Sequence, residues 1–429
     1  MENKYYIPRI ADGILRKKLR TSGAVLIVGP KWCGKTWTAL NQANSVIFMQ
    51  DPDKRSSYIK MAQTMPSYLL KGDKPRLIDE WQTATVLWDA VRFAVDMTPE
   101  KGQYILTGSV VVDEDDDMLP DEKMQHTGTG RISRMRMRPM SLYESGESNG
   151  SVSLKDLFDG NCEVAAMSQL SVEDIAFAIC RGGWPASLHM EREDALDVAK
   201  DYVEAVCEKD ASSVDKSQKD PDRVRCILKS LARNISTMTS DRTIMGDVKA
   251  NDTSITDKTL EVYLRALRKL FIIEDIKAWQ PSLRSKTGIR TSDKRQFVDP
   301  SIAVAAIGTS PHGILDDFNY FGFLFESLCA RDLRIYSEPL RGTIRHYHDH
   351  NDLEADLIIA LEDGRWAAVE VKLGSREIDE GASHLLKLAS NIDTDRFPAP
   401  SFLMVLTGGE FAYRREDGVY VIPIACLKD

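Results

Sequence analysis

Between an apolar run, Ala24-Val25-Leu26-Ile27-Val28, and a helix-forming stretch, Thr36 to Ala43, the chain reads Gly29-Pro30-Lys31-Trp32-Cys33-Gly34-Lys35-Thr36. A glycine at each end lets the main chain curl until successive N–H groups point inward, and the helix that follows aims its positive end at the same anion. Such a turn cradles phosphate. Lys35 would reach the β- and γ-phosphates and the Thr36 hydroxyl would ligate Mg²⁺, while Gly29, Pro30, Lys31, Trp32, Cys33, Gly34 and Trp37 supply the wall. The motif constrains the fold because it works only as the exit of a buried strand into a helix. Residues 1 to about 145 agree, with further strands expected at 46–49, 76–79 and 104–107, as in an open α/β sheet.

With 429 residues the chain should hold two to four domains, at roughly 100 to 200 residues each. A charged fraction of 28% and a hydrophobic fraction of 43% place it among globular proteins rather than disordered or fibrous ones. No stretch approaches the ~20 apolar residues that cross a bilayer, and Met1 to Tyr6 lacks the apolar segment of a secretory signal, so a cytoplasmic protein without membrane partners is expected. The cysteines (33, 162, 180, 207, 226, 329 and 426) are odd in number and contain no C-x-x-C pair, which points to reduced core thiols rather than disulfides or zinc. The net charge of −9 conceals an uneven distribution. Residues 223–295 carry 16 Lys/Arg against 8 Asp/Glu, whereas 113–117 form an acidic run, read as a solvated loop.

Four regions are expected: 1–145 a phosphate-loop core, 146–222 a helical lid and linker, 223–310 a winged helix and 311–429 a further α/β domain. The winged-helix expectation rests on helices at 224–237, 243–250 and 256–270, followed by a two-stranded ribbon, 271–278 returning at 295–298. Ser254 or Thr256 would cap the third helix, and the turn between the strands carries Arg284, Lys286, Arg290, Lys294 and Arg295, suited to phosphate backbone. DNA contact and a protein-joint role both remain open.

Arg76-Leu77-Ile78-Asp79-Glu80 puts two carboxylates at a strand end, Asp79 for the Mg²⁺ shell and Glu80 to polarise the attacking water. Thr107 and Ser109 close another strand with hydroxyls that could sense the γ-phosphate. As a strand, 130–138 sends Arg134, Arg136 and Arg138 to one face, either offered to a neighbouring subunit or simply solvated. In their order Ile7-Pro8-Arg9, the phosphate loop, Leu77-Ile78-Asp79-Glu80-Trp81-Gln82, Leu106-Thr107-Gly108-Ser109, Gly130-Arg131 and Pro139-Met140-Ser141-Leu142, these segments resemble the prokaryotic AAA-class ATPases that carry a C-terminal domain of unknown function. The resemblance implies ATP with Mg²⁺, Lys35 and Thr36 as phosphate and metal contacts, the Asp79–Glu80 pair, Arg131 as the finger arginine, and assembly into a homo-oligomer. It also implies that Gly183-Trp184-Pro185 is a lid element in which Pro185 packs on the adenine, the alternative being an ordinary helix break.

Nearer the C-terminus, Asp356 on one strand and Glu370-Val371-Lys372 on the next form an Asp…Glu-x-Lys pattern, with Glu326 in the preceding helix as an additional acid. In restriction-endonuclease-like nucleases such carboxylates bind Mg²⁺ and the lysine orients or deprotonates water. The bland reading is a cross-strand ion pair. His346, His348 and His350 alternate along a strand but are read as a surface strand, not a metal site. The expected fold is therefore α/β throughout: a phosphate-loop AAA-class sheet with helical lid, a winged helix and a C-terminal restriction-endonuclease-like domain. The expected function is ATP hydrolysis acting on nucleic acid, with nuclease activity open. The alternative is an ATP-dependent regulatory switch whose last domain only binds protein or DNA.

Overall fold

The computed structural model describes residues 6–109, 130–161, 163–214, 218–280, 292–349, 353–395 and 397–429. The chain divides into two units: Met1–Pro139 with Ser212–Gln218 and Arg265–Phe271, and Met140–Ala211 with Lys219–Leu264 and Ile272–Asp429.

The first unit is built on a parallel sheet of β1 (Ala24–Val28), β2 (Ser45–Phe48), β3 (Arg76–Asp79), β4 (Tyr104–Gly108) and β5 (Ile132–Arg136) in the order β2-β3-β4-β1-β5. The central strands β1 and β4 are buried along almost their whole length because both faces of the sheet are covered there, whereas edge strands β2 and β5 expose alternate residues. Ala24, Leu26, Ile78 and Leu106 pack on one side with Leu87, Trp88 and Val91 of the helix Val86–Asp96. Val25, Ile27, Leu77 and Ile105 pack on the other with Leu15 of the helix Ile10–Thr21 and Ala39 of the helix Lys35–Leu40. Each of the Val, Leu and Ile side chains contributes about 1.5–3 kcal/mol by leaving water. Shared direction is the consequence that matters: β1, β3 and β4 all end at one edge of the sheet, which is where open parallel sheets place ligands.

The second unit carries a seven-stranded sheet, β7 (Ala166–Met167), β12 (Phe411–Arg414), β13 (Tyr420–Pro423), β11 (Phe402–Thr407), β10 (Trp366–Lys372), β9 (Glu354–Leu361) and β8 (Gly342–His348), in that order. A short pair joins β6 (Val152–Ser153) to β14 (Leu427–Lys428). Thus the region expected as a helical lid and linker supplies two strands to partners near the C-terminus. Two- to four-residue strands show too few alternations to register as a period, so only their partners reveal them.

Helices Pro221–Arg233, Asp241–Lys249 and Asp257–Lys269 stand where three were expected, and Thr256 caps the third through Thr259 N–H. The ribbon pairs Ile273 with Phe297 and Ile276 with Lys294. It then runs on beside β8, with Trp279 N–H donating to the His346 carbonyl at 2.7 Å and Trp279 stacked 4.6 Å from Trp366. That junction fastens the ribbon to the C-terminal sheet. Arg284, Lys286 and Arg290 of the expected basic turn, the acidic run 113–117 and His350 lie outside the described residues.

Candidate nucleotide site and a second acidic cluster

The loop after β1 needs its glycines. Gly29 has φ +156°, and a Cβ there would lie 2.1 Å from the Met137 carbonyl oxygen; Gly34, at φ +99°, turns the chain into the helix. Arg9 holds the loop from behind, donating from one guanidinium nitrogen to the Cys33 carbonyl and from the other to that of Arg138, each at 2.9 Å. Cys33 is buried against Met137, whereas Trp32 and Trp37 stand about half exposed beside the cradle.

Lys35 is buried and its ammonium donates to the Gly29 and Pro30 carbonyls at 2.9 and 2.7 Å. Thr36 Oγ1 and Thr107 Oγ1 both donate to Asp79 Oδ1, at 2.8 and 2.7 Å, and Thr107 Oγ1 accepts from the Glu80 N–H at 3.1 Å. Glu80 sits in the left-handed region, φ 53°, uncommon for a residue with a side chain. Gln82 Nε2 and Ser109 Oγ donate to Glu80 Oε2. Burial pushes the Glu80 carboxyl up, with Asp79 adding and Lys35 opposing, which makes it a better proton acceptor than a solvated glutamate.

Lys35, Thr36, Asp79, Glu80, Thr107 and Ser109 therefore converge at the exits of β1, β3 and β4. The supporting Arg9 and Gln82 were not assigned a role from sequence; a spacing pattern cannot report which distant carbonyl a guanidinium will reach. The donor set fits a hard cation: one carboxylate oxygen with a hydroxyl against it, both exchangeable for metal coordination. Mg²⁺ would be held by Thr36 and Asp79, and when bound it neutralises charge on the phosphates. Arg131 stands apart from this group, on the surface, with Nε 2.8 Å from Asp96 Oδ1. Arg134 lies over the Trp88 ring, 5.6 Å from its centroid.

In the second unit Trp184 is fully buried, donating from Nε1 to Ser301 Oγ at 3.0 Å and lying 4.5 Å from the Tyr202 ring. Gly183 N–H donates to Asp299 Oδ2, and a Cβ on Gly183 would lie 2.1 Å from the Met140 carbonyl oxygen. Asp299 in turn takes the buried Arg331 guanidinium at 2.9 Å. The Gly-Trp-Pro segment is thus a packed joint of its own unit, with Pro185 half-buried at its end.

The acids expected to be nuclease-like do come together, but with cations of their own. Lys294 Nζ lies 2.8 Å from Glu326 Oε1 and 3.6 Å from Asp356 Oδ1, and Lys372 Nζ lies 3.2 Å from Glu370 Oε2. Asp356 Oδ2 accepts from the Val371 N–H at 2.9 Å. Burial raises the Glu370 carboxyl to about 8 and that of Glu326 to about 7. Burial alone would lower the Lys294 pKa, yet Glu326 and Asp356 outweigh it and the group stands above an ordinary lysine. Gly381, in the helix Ile378–Asn391, covers the pair: a Cβ there would lie 3.3 Å from Lys372 Cε.

Two expectations are corrected here. Lys294 and Arg295 do not lie out along a basic turn; both are buried, Arg295 being paired with Asp275 at 3.2 Å and with Asp241. The apolar ribbon that ends at Ile276 and Phe297 carries them inward. His346 is no surface residue either: its Nε2 lies 3.1 Å from the Ser292 carbonyl, and burial, with Lys294 nearby, lowers it to about 4. Among the described residues no group of three or more His, Cys, Asp or Glu is arranged to hold a metal ion, and no helix is long and apolar enough to cross a membrane.

Comparison with known proteins accords with the first site. Residues 21–146 match the model of an AAA domain, residues 172–313 a domain of unknown function (DUF8612) and residues 321–427 a second (DUF4143). No curated protein matches the chain. Among solved structures, the Walker-type ATPase PABY2304 of Pyrococcus abyssi is 18% identical over 70% of this chain and 96% of its own, with a TM-score of 0.42. A half-complex of Thermococcus gammatolerans McrB AAA+ hexamers with bound McrC is 11% identical over 47% of this chain and 45% of its own (TM-score 0.18). A DNA polymerase III gamma subunit-related protein of Thermotoga maritima is 10% identical over 75% of this chain and 100% of its own (TM-score 0.22). Likenesses this loose carry no chemistry. The AAA match coincides with the loop, acids and hydroxyls described above, and the chain carries an ATP-binding and ATP-hydrolysing AAA-class domain, followed by two domains of unknown function.

Proposed function

We propose that this protein uses ATP hydrolysis to act on nucleic acid. The observation that carries the first half is the convergence of Lys35, Thr36, Asp79, Glu80 and Thr107 at one edge of a parallel sheet. On this reading Lys35 and the N–H groups of residues 29–34 bind the triphosphate, Thr36 and Asp79 hold Mg²⁺, and Glu80 takes the proton of the attacking water, oriented by Gln82 and Ser109. Thr107 keeps Asp79 and the Glu80 main chain in register. Arg131, offered from the surface, serves a neighbouring copy's nucleotide in a homo-oligomer. Nucleic acid would be met by the region of three helices and a ribbon, a winged helix in this proposal, which exposes Lys229, Arg242, Lys249 and Lys258.

A specific observation favours the second reading, a regulatory switch. Lys294 and Arg295, two of the five basic residues expected to face phosphate, are spent on ion pairs inside the chain. One experiment separates the two: ATP turnover of wild type and Lys35→Ala with and without single- or double-stranded DNA. The first reading expects turnover that DNA raises and that Lys35→Ala abolishes. Turnover indifferent to both forms of DNA would overturn it in favour of the switch.

A further inference from the structure

In the second unit, two of the three acids expected to hold a divalent ion already hold the ammonium of Lys294, and the third, Glu370, is paired with Lys372. Lys294 Nζ is 2.8 Å from Glu326 Oε1, 3.6 Å from Asp356 Oδ1 and 3.4 Å from the Asp356 carbonyl oxygen, so it faces oxygens from a helix and a strand at once. Two of the acids are tied elsewhere as well, Asp356 Oδ2 to the Val371 N–H and Glu370 Oε2 to Lys372. Lys294 is no mobile surface residue that has fallen in. Its main chain exchanges both hydrogen bonds with Ile276, 2.8 Å each, and its side chain is 9% exposed.

Charge argues the same way. With every group ionised, Glu326, Asp356 and Glu370 against Lys294 and Lys372 leave a single negative charge, too little to strip the hydration of a dication that prefers two or three carboxylates. We propose that the ammonium of Lys294 permanently fills the cation position of the Glu326–Asp356–Glu370 cluster, so that this domain takes no divalent metal and does not cleave phosphodiesters. The Asp…Glu-x-Lys pattern then survives as a closed ion-pair network whose cation is covalently attached, delivered by the ribbon. This inference is independent of the ATP site and of whether the protein meets nucleic acid at all.

The test uses the full chain without nucleotide, in an Asp79→Asn background that removes the other metal ligand, with Mn²⁺ as probe read by electron paramagnetic resonance. With Lys294 intact, the chain should take up no Mn²⁺ that depends on Asp356. Replacing Lys294 by Met removes the bound cation and leaves a net charge that suits a dication, so Mn²⁺ affinity should rise at least about 10-fold and fall again on adding Asp356→Asn. The same Mn²⁺ should raise the melting temperature of the Lys294→Met chain but not of its Lys294 parent. Mn²⁺ uptake by the Lys294-containing chain that vanishes with Asp356→Asn overturns the proposal. So does a folded Lys294→Met chain that stays metal-free, since the acids would then not form a cation site. Should Lys294→Met fail to fold, the measurement on the Lys294-containing chain decides alone.

Discussion

Lys35 and Lys294 are both withdrawn from water and both tied by oxygen, but the oxygens differ. Those on Lys35 are the neutral carbonyls of Gly29 and Pro30; those on Lys294 belong to carboxylates. An ammonium facing a carboxylate gains the attraction between two full charges, which a neutral carbonyl partner does not supply. An arriving phosphate therefore offers Lys35 a better partner than it has, whereas Lys294 has nothing to gain by leaving. The same residue type makes a binding site in one region and a closed joint in the other, and motif spacing cannot tell which.

The comparison can be broken first at Glu80. If the acids of the first unit are chemically committed, Glu80→Gln should lower ATP turnover by roughly 10²- to 10⁴-fold, the usual worth of a positioned base, and leave nucleotide affinity in place. Phosphate release and nucleotide titration measure the two separately; unchanged turnover would show that the first site, too, is structural. A smaller effect sharpens the picture at Thr107, whose hydroxyl bonds Asp79 Oδ1 and the Glu80 N–H. Thr107→Ala should cost roughly 10- to 100-fold in turnover and raise the Mg²⁺ concentration required, while Thr107→Ser restores both. Equal losses in the Ala and Ser variants would argue for packing instead.

The smallest effect is a pH slope in the second unit. Glu326 and Glu370 are carried up to about 7 and 8 from an ordinary 4.5, so the folded chain binds more protons than the unfolded one across that interval. Their contribution is full below about 4.5 and is lost as pH rises through 7 and 8. His346, lowered from 6.5 to about 4, works in the opposite sense only below 6.5. Melting temperature should therefore fall between about pH 6.5 and 8, and Glu370→Gln should flatten that fall. A slope identical in the variant would mean that the cluster does not titrate as its burial implies.

Much of the first unit was legible because its signals are local. The apolar runs at 24–28, 76–79 and 104–107 are strands in place, and Asp79 and Glu80 follow directly on one of them. The second unit was legible as elements and not as an assembly. The strands that carry Asp356 and Glu370 stand as expected, at 354–361 and 366–372, yet β6, β7, β12, β13 and β14 are too short to show a period, and four of them pair, two by two, across more than 240 residues. Arg295 reads as basic in a basic stretch; only the register of the ribbon turns it toward Asp275.

What the chain determined by itself is the phosphate loop and its sheet, since glycine torsions, strand hydrophobicity and the helix start all act within a few residues of one another. What only the tertiary structure decided is the meaning of its charges. Electrostatic interaction depends on distance through space and on exclusion of water, and neither is fixed until the ribbon meets the C-terminal sheet and sets Lys294 among the acids.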